Sequence, residues 1–130
     1  MNLKNLTIKK IREGLKKDKF SASELTEKYF NKIEKEDKEL SSYLCLTKNL
    51  ALEQSKKIDK KIKKGKKIGK LAGVSLAIKD NILIKGEKCT AGSKILENYK
   101  APYNATCIEK LLEEDALILG KTNLDEFAMG

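Results

Sequence analysis

Apolar positions recur every three or four residues in the first half of the chain and then change period. In residues 7–17, "TIKKIREGLKK", Ile8, Ile11 and Leu15 share one helical face, and Thr7 can act as N-cap. In "FSASELTEKYFNKIEK", residues 20–35, Ser21 and Glu24 have capping-box spacing and Phe20 stands where a hydrophobic staple would. Leu25, Tyr29, Phe30 and Ile33 then form a stripe suited to packing on the chain's own core. The short apolar run "SSYLCLT" (41–47) predicts a strand. Residues 48–65 predict a third helix, with Ala51, Ser55, Ile58 and Ile62 on a narrow face and Gly65 closing it.

From residue 71 the pattern becomes that of a sheet. "GVSLAIKD" (73–80) reads as a strand, 81–93 as a loop and "SKILENY" (93–99) as a short helix. "NATCIEKLLEEDA" (104–116) predicts a helix with Asn104 as N-cap, and "ALILGKT" (116–122) a further strand. Strand, helix, strand over this length implies a crossover between parallel strands in a covered sheet. Asp115 occupies a helix C-terminus where a left-handed residue is useful, so aspartate there is expected to cost a little stability and to carry no functional cost. Along the 73–80 strand, Val74, Leu76 and Ile78 face one way, and Ser75, Ala77 and Lys79 the other.

Composition narrows the function classes. There is no histidine, which removes imidazole chemistry, and the three cysteines have no metal or redox spacing, so they read as free thiols in a reducing cytoplasm. No stretch is long and apolar enough for a membrane span, and the N-terminus has no signal-peptide pattern. Residues 1–70 carry 21 basic and 10 acidic side chains, against 7 and 9 in residues 71–130. A basic half suits a nucleic-acid surface, but 27 of the 28 basic residues are lysine and Arg12 is the only arginine. That bias reads as compositional excess rather than as a phosphate-recognition footprint.

Lys79 is the candidate for chemistry. At the end of an apolar strand a lysine either snorkels to water or is partly desolvated and held neutral as a base; the strand pattern alone favours snorkelling. "LAGVSLAIKDNI", "TAGSKILENYKAPYNAT" and "ALILGKTNLDEFAMG", in this order and spacing, resemble the amidase signature family. Within it they are most similar to the A subunits of glutamyl-tRNA(Gln) amidotransferases. The resemblance covers essentially the whole chain, and "KTNLDEFAMG" is its most specific part.

The resemblance implies an α/β fold: the N-terminal fragment of a twisted mixed sheet covered by helices. Residues 1–70 would form a mostly helical layer, and 71–130 the start of the core sheet. It implies a Ser–Ser–Lys triad in which Lys79 is the general base, with both serines beyond residue 130. Asp80 and Asn81 are expected to close the turn after the strand, while Met129 and Gly130 match a loop that approaches substrate. The implied reaction is glutamine hydrolysis, supplying ammonia for converting Glu-tRNA(Gln) to Gln-tRNA(Gln). The B and C subunits are the implied partners, and tRNA is met through the complex. No cofactor is expected on this chain; ATP and magnesium belong to the B subunit. Residues 1–130 alone are expected to be inactive. Two other readings are an amidase for a small amide and a non-catalytic interaction module or gene relic.

Overall fold

The computed structural model describes residues 2–130. Its helices are α1 (Ile8–Lys16), α2 (Ala22–Leu40), α3 (Lys48–Lys63) and α4 (Thr106–Glu113). Its strands are β1 (Tyr43–Leu46), β2 (Ser75–Lys79) and β3 (Leu117–Thr122). They form one sheet in the order β1–β3–β2, with β3 central, antiparallel to β1 and parallel to β2. The sheet is mixed, as expected, and β1 joins it from within the helical first half.

Local chemistry explains the helix boundaries. Thr7 Oγ1 accepts from Lys10 N, and Ser21 and Glu24 form the complete capping box of α2. A third group reinforces that N-terminus. Asp59, on α3, accepts from the amides of Ala22 and Ser23 at 2.7 and 3.1 Å, placing an anion on exposed helix donors and tying the two helices together. At the end of α3, Gly65 N donates to Ile62 O and Lys66 N to Lys61 O, a Schellman turn that uses the positive φ of Gly65.

Two sequence expectations are corrected. The cap of α4 is Ala105, which makes no side-chain cap bond; Asn104 Oδ1 instead accepts from Lys85 N at 2.8 Å, pinning the 81–93 loop. A side chain that satisfies a distant amide is lost to the helix behind it. The short helix at 93–99 is a single 3-10 turn, Lys94–Leu96.

The core lies on both faces of β3. One cluster joins Ile11, Leu15, Leu25 and Ile58 from the helices to Val74 and Leu117. On the α4 side, Ile78, Ile84, Ile108 and Ile118 pack together. Phe30, Ala51 and Leu119 complete the α2–α3 side.

Asp115 does more than expected. Its φ is +60°, as the helix end requires, but its carboxylate accepts from Gly69 N at 2.8 Å and from Lys61 Nζ at 2.5 Å. It therefore stitches the 66–73 loop and α3 to the end of α4. Asp115→Gly would relieve the left-handed backbone yet remove both hydrogen bonds. We expect a net loss of about 1 kcal/mol in urea denaturation; a stabilised variant would show that the carboxylate is dispensable.

Candidate active site

Two strands end side by side, and each places a lysine at its C-terminal end: Lys79 on β2 and Lys121 on β3. Carboxyl ends of parallel strands are where α/β folds place their sites. The two lysines meet opposite environments. Lys79 is exposed, and its Nζ makes no hydrogen bond or ion pair among the described residues. Lys121 is fully buried, and Nζ donates to Asp80 Oδ1 at 2.7 Å and to Lys88 O at 2.9 Å.

A register shift separates them. Leu76 is opposite Ile118, but Ala77 is opposite Gly120, so β3 carries one extra residue at Leu119. Because side chains alternate with period 2, this insertion turns Lys121 to the side of Leu76 and Ile78, which is also the side of Asp80. Without it Lys121 would share the face of Ser75, Ala77 and Lys79. Gly120 makes the close approach possible: a Cβ there would lie 2.6 Å from Cys45 O and 2.8 Å from the Tyr43 ring.

Asp80 is the centre of the site. It is fully buried, and each carboxylate oxygen is used. Oδ1 takes Lys121, while Oδ2 accepts from Thr90 N at 3.0 Å and from Thr90 Oγ1. Its backbone N donates to Thr122 O at 3.1 Å, and its carbonyl accepts from Ala91 N at 2.9 Å and from the Cys89 thiol at 3.4 Å. One residue thus fastens the ends of β2 and β3 to the 88–91 loop. Asn81 lies in the turn closed by Ile82 N donating to Lys79 O at 3.0 Å, as the sequence suggested.

The loop is also tied to the C-terminal segment. Phe127 N donates to Ala91 O at 2.8 Å, and the Ser93 hydroxyl donates to Glu126 Oε1 at 2.7 Å. Gly92 is needed there, because its φ is +68° and a Cβ would lie 2.8 Å from Leu124 O. Met129 and Gly130 follow this turn; both are exposed, Met129 at 80%. Cys45 and Cys89 lie near Asp80 and Lys121, and burial pushes both thiols above the ordinary cysteine range.

Two cavities flank the strand ends. One, of about 340 Å³, is lined by Cys45, Asp80, Lys88, Thr90 and Ser93 among others. The other, of about 330 Å³, runs along α2 and is walled by Tyr29, Ile33, Tyr43, Ser75, Ala77 and Leu119. Ser75 Oγ is buried in this second region with no partner among the described residues. No group of three metal-ligating side chains occurs among the described residues, and no helix there is long and apolar enough to cross a membrane.

The expected desolvation of Lys79 is not supplied by residues 2–130. Its strand face carries Ser75 and Ala77, and Ala77 is itself exposed, so no layer lies over that end of β2. Lys121 and Thr90 escaped the sequence reading. The signal for Lys121 was present: it is a lysine in the apolar run "ALILGKT", the feature that singled out Lys79.

The amidase family model matches residues 24–130. The chain belongs to the amidase family. Its amidase relatives include the A subunit of glutamyl-tRNA(Gln) amidotransferase from Fusobacterium nucleatum, 49% identical over 129 residues, covering 99% of this chain and 26% of that protein. Its counterpart from Thermoanaerobacter pseudethanolicus is 49% identical over 130 residues, again 26% of its length. The chain spans about a quarter of the length of these relatives. Among solved structures, a bacterial aryl acylamidase of the amidase signature family superposes with a TM-score of 0.89 at 27% identity, over 94% of this chain and 26% of that one. The inhibitor-bound complex of a vestigial assembly related to an s-triazine catabolic enzyme gives 0.92 at 30% identity, over 96% and 28%.

The pairing of Asp80 with Lys121 in this amidase chain generates a quantitative expectation. Lys121→Met leaves a buried carboxylate without its cation and should cost about 3–5 kcal/mol in chemical denaturation. Asp80→Asn should also destabilise, and the double variant should cost much less than the sum of the singles. Additive losses would mean that the two groups are not energetically coupled. The thiols give a second check: exposed Cys107 should react with a thiol reagent near neutral pH well before Cys45 or buried Cys89. Equal rates by peptide mapping would contradict the burial of these two thiols.

Proposed function

We propose that this chain is the N-terminal part of the A subunit of a glutamyl-tRNA(Gln) amidotransferase, with Lys79 as the general base of glutamine hydrolysis. The similarity to A subunits over nearly the whole chain is the observation that carries the reading. The placement of Lys79 is compatible with it: an amine at the carboxyl end of a parallel strand, with no carboxylate partner among the described residues, has its lone pair free once deprotonated. Lys121, locked to Asp80, is unsuited to that task.

In this reading the amidase domain contains two serines that follow residue 130 in the complete protein. Neutral Lys79 Nζ takes a proton through a bridging serine from the nucleophilic serine, which attacks the glutamine side-chain carbonyl. Collapse of the tetrahedral intermediate releases ammonia and leaves a glutamyl ester, which water hydrolyses to glutamate. The segment beyond residue 130 would also cover the open face of β2, removing water from the amine. Met129 and Gly130 would border the substrate. Ammonia would pass to the B subunit, where ATP and magnesium activate Glu-tRNA(Gln), with the C subunit completing a cytoplasmic complex.

In the complete protein, Lys79→Ala should lower glutamine turnover by about 10²–10⁴-fold, the usual contribution of a general base, with the circular dichroism unchanged. Lys79→Arg should fail equally, because a guanidinium stays protonated. Near-normal turnover in either variant would remove Lys79 from the mechanism. Turnover of a simple aliphatic amide in preference to glutamine would favour a small-amide hydrolase instead.

A further inference from the structure

The only arginine of the chain stands in a cluster of cations that the amidase chemistry does not use. Arg12 and Lys16 on α1 and Lys66 and Lys67 after α3 line a cavity of about 350 Å³ together with Ile62, Gly65 and Ile68, and no carboxylate lines it. The Arg12 Nε is buried and has no hydrogen-bond partner among the described residues, nor does its guanidinium enter an ion pair there. An adjoining cavity, also lined by Arg12 and Lys67, contains three carboxylates; Glu113 pairs with no cation among the described residues, and the other two are engaged. Asp115 is held by Lys61 and Gly69 N, and Glu114 Oε2 by Lys70 N at 2.6 Å. Glu13, exposed on α1, borders a further cavity with Arg12 and Lys16 but makes its one ion pair among the described residues with Lys9, at 4.0 Å.

These cations are brought together by backbone, not by chance proximity of long side chains. The Schellman turn at Gly65 reverses the chain after α3 and starts the segment that carries Lys66 and Lys67. Gly69 then presses on the backbone of Glu114, where a Cβ would come within 2.3 Å, and Leu71 N donates to Glu114 O at 3.0 Å. Convergent like charges repel, and an arginine with a buried, unpaired Nε is costly, unless an anion shares the site. A guanidinium fork flanked by ammonium groups matches the tetrahedral oxygens of phosphate.

We infer that the Arg12–Lys16–Lys66–Lys67 cavity is a binding site for a phosphate-class oxyanion, either free or carried on an RNA backbone. It is separate from the Lys79 strand end and does not depend on the amidotransferase reading. Its test is calorimetric titration of the full chain with inorganic phosphate and, separately, with bulk tRNA, across a range of salt concentrations. Three variants are compared: Arg12→Gln; Lys66→Gln with Lys67→Gln in the exposed loop; and Lys35→Gln with Lys38→Gln on α2 as a charge-matched control. The loop pair keeps the test valid should Arg12→Gln fail to fold. The site predicts saturable binding that falls about tenfold or more in the loop pair and far less in the control. With tRNA, the salt dependence should become shallower by about 0.7–0.9 for each phosphate no longer neutralised. Binding of tRNA without phosphate would assign the RNA backbone as the source, and binding of phosphate alone the free anion. No saturable binding of either, or equal losses in the loop pair and the control, overturns the inference.

Discussion

A carboxylate and an ammonium group, both closed off from water, meet where the two parallel strands end. Asp80 and Lys121 form the one ion pair among the described residues in which both side chains are fully buried. Such a pair gains little net stability over an apolar replacement, but it is intolerant of losing either member. Its value here is positional. Asp80 holds β2 to β3 and the 88–91 loop to both, and through Ala91 and Ser93 that loop holds the segment 125–128. The segments bearing Lys79, Met129 and Gly130 are therefore all anchored, directly or through one further link, to a single buried carboxylate.

The inserted residue in β3 makes this arrangement possible. It sends Lys121 to the α4 side of the sheet and leaves Lys79 on the other. The sheet thereby gives its two terminal lysines different chemistry. One is consumed as a structural cation, and the other is left with its amine uncommitted. A strictly alternating β3 would place Lys121 on the Lys79 face, away from Asp80, with two ammonium groups left to repel each other.

Much of the fold was legible because it follows from periodicity and caps. Thr7, the Ser21–Glu24 box and Gly65 mark helix ends that the structure reproduces, and the 73–80 and 116–122 runs are the parallel pair. What could not be read depended on distant partners. Asn104 resembles an N-cap until Lys85 N claims it, and Asp115 resembles a poor left-handed residue until Gly69 and Lys61 meet it. Both lysines stand out at the ends of apolar runs, and resemblance implied a role for Lys79, whereas the register shift that turns Lys121 toward Asp80 has no signature in the sequence. The basic first half looked like lysine excess. Only the turn at Gly65 shows that some of those lysines converge on Arg12.

The central claim is that the buried pair organises the strand ends as a unit. Amide hydrogen exchange in the Lys121→Met variant tests it most directly, read residue by residue. The amides of Asp80, Thr90, Ala91 and Phe127 should lose protection together, while those within α2 and α3, which make no hydrogen bond to the pair, keep theirs. Unchanged protection at Thr90 and Ala91, or an equal loss across α2 and α3, would contradict the account.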